Sequence, residues 1–154
     1  MEIYQPSDLT QLIVEAKNHK NSYVASSKSI LSFGKFPANN YGFPEGDIKL
    51  KLGHIGVGRN RLGGFGLRHI WEKHGSECGL TCPTQVPAYL ESIITIGAHV
   101  LIDKDKAPDK PLILESKVGM AILTINKPNP GASFYTITSA YSRKSHKGNV
   151  IATL

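Results

Sequence analysis

The chain has 154 residues, with 18 Lys and Arg against 12 Asp and Glu, a formal charge of +6 at pH 7. With 40% hydrophobic and 19% charged residues it has the composition of one folded domain spanning 1–154, which excludes disorder as the default. Its apolar runs are a few residues long, far short of the roughly 20 that cross a bilayer, so no membrane insertion is expected of this segment. Glu2 and Asp8 stand where a basic, then apolar, export signal would begin, so none is expected. Two cysteines are too few for a disulfide scaffold, and the positive surplus points to an anionic partner, nucleic acid foremost.

Leu9, Leu12, Ile13 and Ala16 form the i, i+3, i+4, i+7 stripe of an amphipathic helix over 7–17 capped by Ser7. Residues 18–44, rich in Asn, Ser, Gly and Pro, read as loop with one short helix or strand, so 1–46 is expected to be a helical and loop lead-in to a core over 47–154. From Asp47 to Leu52 the alternation predicts a strand that buries Ile48, Leu50 and Leu52 and presents Lys49 and Lys51 on a basic side. Next come five glycines in eleven residues from Gly56, and then a predicted helix over 67–74 stopped by Gly75. A further helix is expected over 84–96, with Pro87 in its first turn and Val86, Leu90, Ile93 and Ile94 on its apolar side. Five β-rich stretches follow, His99–Ile102, Leu112–Glu115, Val118–Asn126, Phe134–Tyr141 and Val150–Thr153, separated by turns at 103–110 and 127–131. Helices followed by an antiparallel sheet make an α+β plan.

Seven consecutive residues, Arg68-His69-Ile70-Trp71-Glu72-Lys73-His74, hold two imidazoles, two cations and a carboxylate. On an α-helix with Leu67, Ile70 and Trp71 inward, His69 and Lys73 share the polar edge at i and i+4. His74 falls almost on the core side, where a histidine closing the helix end is as reasonable as a catalytic one. Imidazoles titrate near neutrality and suit general acid and base work, and Arg68, Lys73, Arg59 and Arg61 are the cations available to a phosphate. Such groups could cleave RNA without a metal: a base takes the 2′-hydroxyl proton, the oxygen attacks phosphorus, and an acid protonates the leaving 5′-oxygen, giving a 2′,3′-cyclic phosphate. The glycine stretch matches neither a P-loop nor a dinucleotide loop; it is either a phosphate cradle of backbone amides before a helix or a turn rich in glycine for geometric reasons.

His69, His74, Cys78 and Cys82 could instead hold one structural zinc, although the Cys-x3-Cys spacing departs from the usual pairs. Along Phe134–Lys144 strict alternation points Ser139 and Tyr141 one way and Thr138 the other, either as ordinary strand surface or as site groups. Arg143, Lys144, His146 and Lys147 follow as a basic turn suited to phosphate contacts or to solvent.

The run Gly64-Phe65-Gly66-Leu67-Arg68-His69-Ile70-Trp71-Glu72-Lys73-His74-Gly75 resembles the glycine-then-His-Ile-x-x-x-His motif of phage- and toxin-associated members of the barnase/EndoU/colicin/RelE-like ribonuclease superfamily. Phe134–Lys144 is similar to that superfamily's late strand ending in Ser/Thr-x-Tyr. The resemblance, which covers about 47–154, implies N-terminal helices packed on a curved antiparallel β-sheet and catalysis by side chains alone, with no cofactor. It implies His69 as general acid or base, His74 as second imidazole or positioning group, Ser139 and Tyr141 at the scissile phosphate or ribose, and Lys73 and Arg68 at phosphates. Such toxins include C-terminal domains of contact-dependent growth inhibition proteins that cleave tRNA, often in the anticodon loop, and are blocked by an immunity protein, expected here to be acidic. The expected setting is the cytosol of a target cell, reached as the C-terminal part of a larger secreted or phage-encoded protein. The other expectation is a non-catalytic, zinc-stabilised nucleic-acid-binding domain held by His69, His74, Cys78 and Cys82.

Overall fold

The computed structural model describes residues 3–102, 112–142 and 148–154; the expected turn over 103–110 and the basic residues Arg143, Lys144, His146 and Lys147 lie outside them. Its elements are β1 (Ile3–Tyr4), α1 (Gln11–Glu15), β2 (Tyr23–Val24), β3 (Gly34–Phe36), β4 (Gly46–Lys51), α2 (Gly66–His69), α3 (Val86–Ile93), β5 (His99–Ile102), β6 (Leu112–Glu115), β7 (Met120–Asn126), β8 (Phe134–Tyr141) and β9 (Asn149–Thr153). The strands form one sheet in the order β1-β2-β4-β8-β7-β6-β5-β9, and β3 joins β4 outside this path. Both helix and strand are present, with strand dominant, as an α+β plan requires.

Three features differ from the sequence expectation. The lead-in is less helical than expected: α1 has five residues, is capped by the Thr10 hydroxyl rather than Ser7, and leaves Leu12 exposed, while Leu9 and Val14 are buried. Pro6 starts a separate 3₁₀ turn over Pro6–Asp8, so the chain bends between Ser7 and Thr10 and the 3.6-residue stripe never forms. Residues 3–46 also give three short strands to the sheet. The sheet, finally, is not wholly antiparallel, since β1 with β2 and β4 with β8 run parallel.

β4 behaves as its alternation requires. Ile48 and Leu50 are fully buried, as is Leu52 just beyond, and Lys49 and Lys51 look the other way, half-buried. Ile48 pairs with Gly34 of β3 on one edge and Tyr135 of β8 on the other, which leaves β2 to take the remainder of the β3 edge through Leu50 and Lys51. α3 ends earlier than expected, at Ile93, leaving Ile96 exposed in the turn before β5. Val86, Pro87, Leu90 and Ile93 are its buried side. Val86, Leu90 and Ile93 pack with Leu50, Leu67, Ile70, Leu123, Tyr135 and Ile137 in the main core, where each large apolar side chain stabilises the fold by about 1.5–3 kcal/mol.

The register of β7 on β8 decides which β8 residues face this core. Cross-strand partners share a face, and Leu123↔Ile137 and Ala121↔Ala140 belong to the main core. Between Ile122 and Leu123 the register shifts, leaving Thr138 as an extra, bulged residue. The bulge inverts the alternation, so Ile122↔Ser139 and Met120↔Tyr141 lie on the opposite, outer face, where Met120, Ile122 and Tyr141 join a second cluster with Leu101 and Ile113. Thr138 is not turned away from them as strict alternation predicts; its hydroxyl is 2.7 Å from that of Thr124. Among the described residues no helix is long and apolar enough to cross a membrane.

Candidate active site

The glycine stretch is a hairpin excursion between β4 and α2. His54 pairs with Phe65 and Val57 with Leu62, and the amides of His54, Val57, Arg61, Leu62, Gly64 and Phe65 all donate to carbonyls within the excursion. Those six donors are spent, which favours the geometric reading of the glycines over a phosphate cradle. At its neck Gly53 (φ 79°) and Gly66 (φ 76°) are in the left-handed region, and a Cβ on Gly66 would lie 2.6 Å from the Lys51 carbonyl oxygen. Only glycine lets the chain leave β4, return and enter α2 through so narrow a crossing.

From Ile70 to His74 the helix widens into a π turn. This moves the polar edge: i→i+5 bonding brings residues five apart over one another, so His69 meets His74 and not Lys73. Their ring centroids are 5.8 Å apart at an interplanar angle of 74°, and both are buried, at 6% and 4% exposure, whereas Lys73 is exposed. β4 and β8 pair only at Ile48↔Tyr135 and Lys49↔Thr136, and α2 and the π turn pack against the remainder of β8. Leu67 and Ile70 enter the main core there, while His74 stacks edge-on against Tyr141 with centroids 4.4 Å apart.

His74 is held by a group that the seven-residue motif does not contain. Its Nδ1 lies 2.5 Å from Oε1 of Glu77, and Oε2 of the same carboxylate accepts from the Ser142 hydroxyl at 3.0 Å and its amide at 3.3 Å. Glu77 therefore ties the π turn to the end of β8. Burial works against its charge, but the hydrogen bonds from His74 and Ser142 outweigh this and hold the carboxyl below its ordinary range. An ionised carboxylate only accepts, so Nδ1 of His74 carries the proton. Nε2 of His74 has no partner, nor has the Ser139 hydroxyl, and both atoms are buried. The His-x-x-Glu spacing was the legible signal for Glu77; Ser142 had none.

His69 contacts the Ile55 carbonyl through Nδ1 at 3.4 Å, which puts its proton on Nδ1 and its lone pair on Nε2 in the neutral ring. Burial pushes its pKa below the ordinary imidazole value, the Ile55 contact opposes this, and the charges of His74, Lys73 and Arg61 lower it further. An unfolded imidazole protonates near about pH 6.5, a proton that folded His69 resists, so the unfolded state binds more protons there and stability falls as pH drops from about 7.5 to 5.5. Denaturant titrations at the two pH values are expected to show this loss, and to show less of it in His69→Gln. Equal losses in both proteins would refute the assignment to His69.

The other expected residues divide. Arg61 lies at the rim, paired with Glu72 at 2.7 Å, and Arg59 is exposed at the hairpin tip. Lys49 and Lys51 lie on the outer face of β4, where the Lys49 ammonium sits over the rings of Phe134 and Tyr23 at 4.5 and 5.5 Å. Arg143 is outside the described residues. Arg68 is corrected outright: it is 1% exposed and donates to the carbonyls of Asn18 (2.6 Å), Ile13 (2.7 Å) and Gly53 (3.1 Å). Both terminal nitrogens of the guanidinium are committed to backbone carbonyls that tie three segments together, so the side chain is a structural tie and not a phosphate ligand. The zinc set is not assembled either. His74 is turned to Glu77, Cys82 accepts from the Thr84 hydroxyl at 3.2 Å, and among the described residues no three His, Cys, Asp or Glu side chains gather as metal ligands. Burial raises the pKa of Cys78, which is engaged with the Tyr89 phenol, and both cysteines are free thiols. Comparison with models of known families, with curated proteins and with solved structures finds no match.

Proposed function

We propose that this chain is a ribonuclease that cleaves by 2′-hydroxyl transesterification, with tRNA, at its anticodon loop, as substrate. One observation carries the reading: two buried imidazoles with ring centroids 5.8 Å apart, the second oriented by a carboxylate, bearing an unpartnered Nε2 and packed against Tyr141 of the strand whose Ser139 hydroxyl is also unpartnered. Buried polar atoms without partners are costly in a native fold, and a bound phosphate and ribose would satisfy both. In this reading His69, kept neutral, accepts the 2′-hydroxyl proton at Nε2. The 2′-oxygen bonds to phosphorus as the bond to the 5′-oxygen breaks, and the Nε2 proton of His74 goes to that leaving oxygen. Glu77 balances the positive charge of the His74 ring, and Tyr141 and Ser139 contact the phosphate or ribose. Lys73 and Arg61 supply the positive rim.

The substrate class and setting rest on the resemblance of Gly64–Gly75 and Phe134–Lys144 and on the +6 charge. They bring with them an acidic immunity protein as partner, and action in the cytosol of a target cell after delivery as the C-terminal part of a larger secreted or phage-encoded protein. The test is incubation with total tRNA in EDTA and analysis of the fragment ends. Discrete fragments with 2′,3′-cyclic phosphates are expected, and His69→Ala should slow their formation by about 10²–10⁴-fold. Intact tRNA, or cleavage indifferent to His69, would overturn the proposal.

A further inference from the structure

The outer face of the sheet continues away from the histidines toward an aromatic cluster that the cleavage chemistry does not use. Lys49 pairs with Thr136 and Lys51 with Tyr23, so Tyr23, both lysines, Thr136 and, two residues before it, Phe134 share that face. Tyr23 and Phe134 come from β2 and β8 and meet edge to face, with ring centroids 6.4 Å apart, under the Lys49 ammonium. Between this cluster and Ser139 the face is lined by hydroxyls and an amide, with Asn126 donating to the Thr136 hydroxyl at 3.2 Å and Thr124 against Thr138. Asp47, the carboxylate on that side of β4, lies opposite Lys35 and accepts from the Ser32 hydroxyl.

We propose that Tyr23, Phe134 and Lys49 form a base-stacking subsite for single-stranded RNA, on the same sheet face as the histidine site and several nucleotides from it. This rests on the ribonuclease reading and adds to it a choice of strand form. Half-buried aromatic rings offer every base a π face, and stacking of this kind gives sequence-tolerant affinity. The ammonium, held over the rings in the free protein, passes to a phosphate when a base takes its place. Seven residue steps of strand run from Phe134 to Tyr141, roughly 23 Å at about 3.3 Å each, so a dinucleotide in the histidine site cannot reach the subsite and a longer strand can. A duplex cannot present an unstacked base there.

The experiment measures binding of a fluorescent, non-cleavable 2′-O-methyl octanucleotide to the intact chain, beside cleavage of a dinucleotide. Phe134→Leu and Lys49→Ala are each expected to weaken octanucleotide binding about fivefold to tenfold or more and to leave dinucleotide cleavage as in wild type. Tyr23→Leu serves as the second aromatic variant should Phe134→Leu fold poorly. Octanucleotide affinity unchanged in the aromatic variants, or equal losses for a hairpin duplex of the same length, would overturn the subsite. Cleavage by the wild-type chain tests the ribonuclease reading separately, because octanucleotide binding requires no catalysis.

Discussion

Arg68→Leu is expected to lower folding stability by on the order of 3–5 kcal/mol, read as a large fall in the denaturant midpoint at constant slope. Its guanidinium donates to carbonyls of Ile13, Asn18 and Gly53, which belong to α1, the loop before β2 and the neck of the hairpin. Leucine fills much of the same space but leaves three acceptors without their charged donor, at about 1–3 kcal/mol for each that water cannot reach. Against a typical total of about 5–15 kcal/mol, this change alone brings the fold near its limit. Lysine is not a substitute, because one ammonium cannot span three carbonyls in the planar fork geometry of arginine. The cleavage proposed for this chain should survive per folded molecule at low temperature, since the side chain is committed to carbonyls of Ile13, Asn18 and Gly53 and not to the histidines. A stable Arg68→Leu with impaired cleavage would instead restore Arg68 to the site.

On the proposed ribonuclease reading, Gly64→Ala is expected to do the reverse, slowing the proposed cleavage by about 10²-fold or more with the smaller stability cost. A Cβ at Gly64 would lie 2.8 Å from the Ile55 carbonyl oxygen and 3.0 Å from Cε1 of His69, and would press on Nδ1 of the same ring. The Ile55 oxygen is backbone and gives little, so the imidazole must move, and a displacement of about 1 Å at a reacting group is enough for a loss of this size. Its neighbour provides the control. Gly63 has a φ of 77° but nothing within 4 Å of its Cβ position, so Gly63→Ala is expected to strain the backbone by about 1 kcal/mol and leave the cleavage rate in place. Thermal melts and tRNA cleavage rates of the two variants side by side check both. Equal rates in the two would detach Gly64 from the His69 ring.

Much of the candidate site was legible before the fold was known. Two histidines in one short segment, a strand with a basic side, and Ser139 with Tyr141 on one late strand follow from local spacing, and each is found where the chain carries it. The pairing of His69 with His74 was not legible, because α-helical spacing assigns Lys73 to that edge and only the π turn replaces it. Nor was the role of Arg68: next to His69 in sequence it looks like a phosphate ligand, but a helix turns adjacent side chains about 100° apart, and this one points into the core.

Local pattern therefore determined the strands from β4 onward, which residues of β4 and α3 are buried, and which residue types are available for chemistry, because side-chain periodicity needs no knowledge of neighbours; the short strands β1, β2 and β3 exist only through their partners. Tertiary structure decided which of those residues meet. The bulge at Thr138 arises from the pairing of β8 with β7; without it Ser139 and Tyr141 would share the face of Tyr135 and Ile137. Glu77 reaches His74 locally but is fixed by Ser142, 65 residues away. Strand register and long-range hydrogen bonds are properties of two segments at once, and no single stretch of sequence contains them.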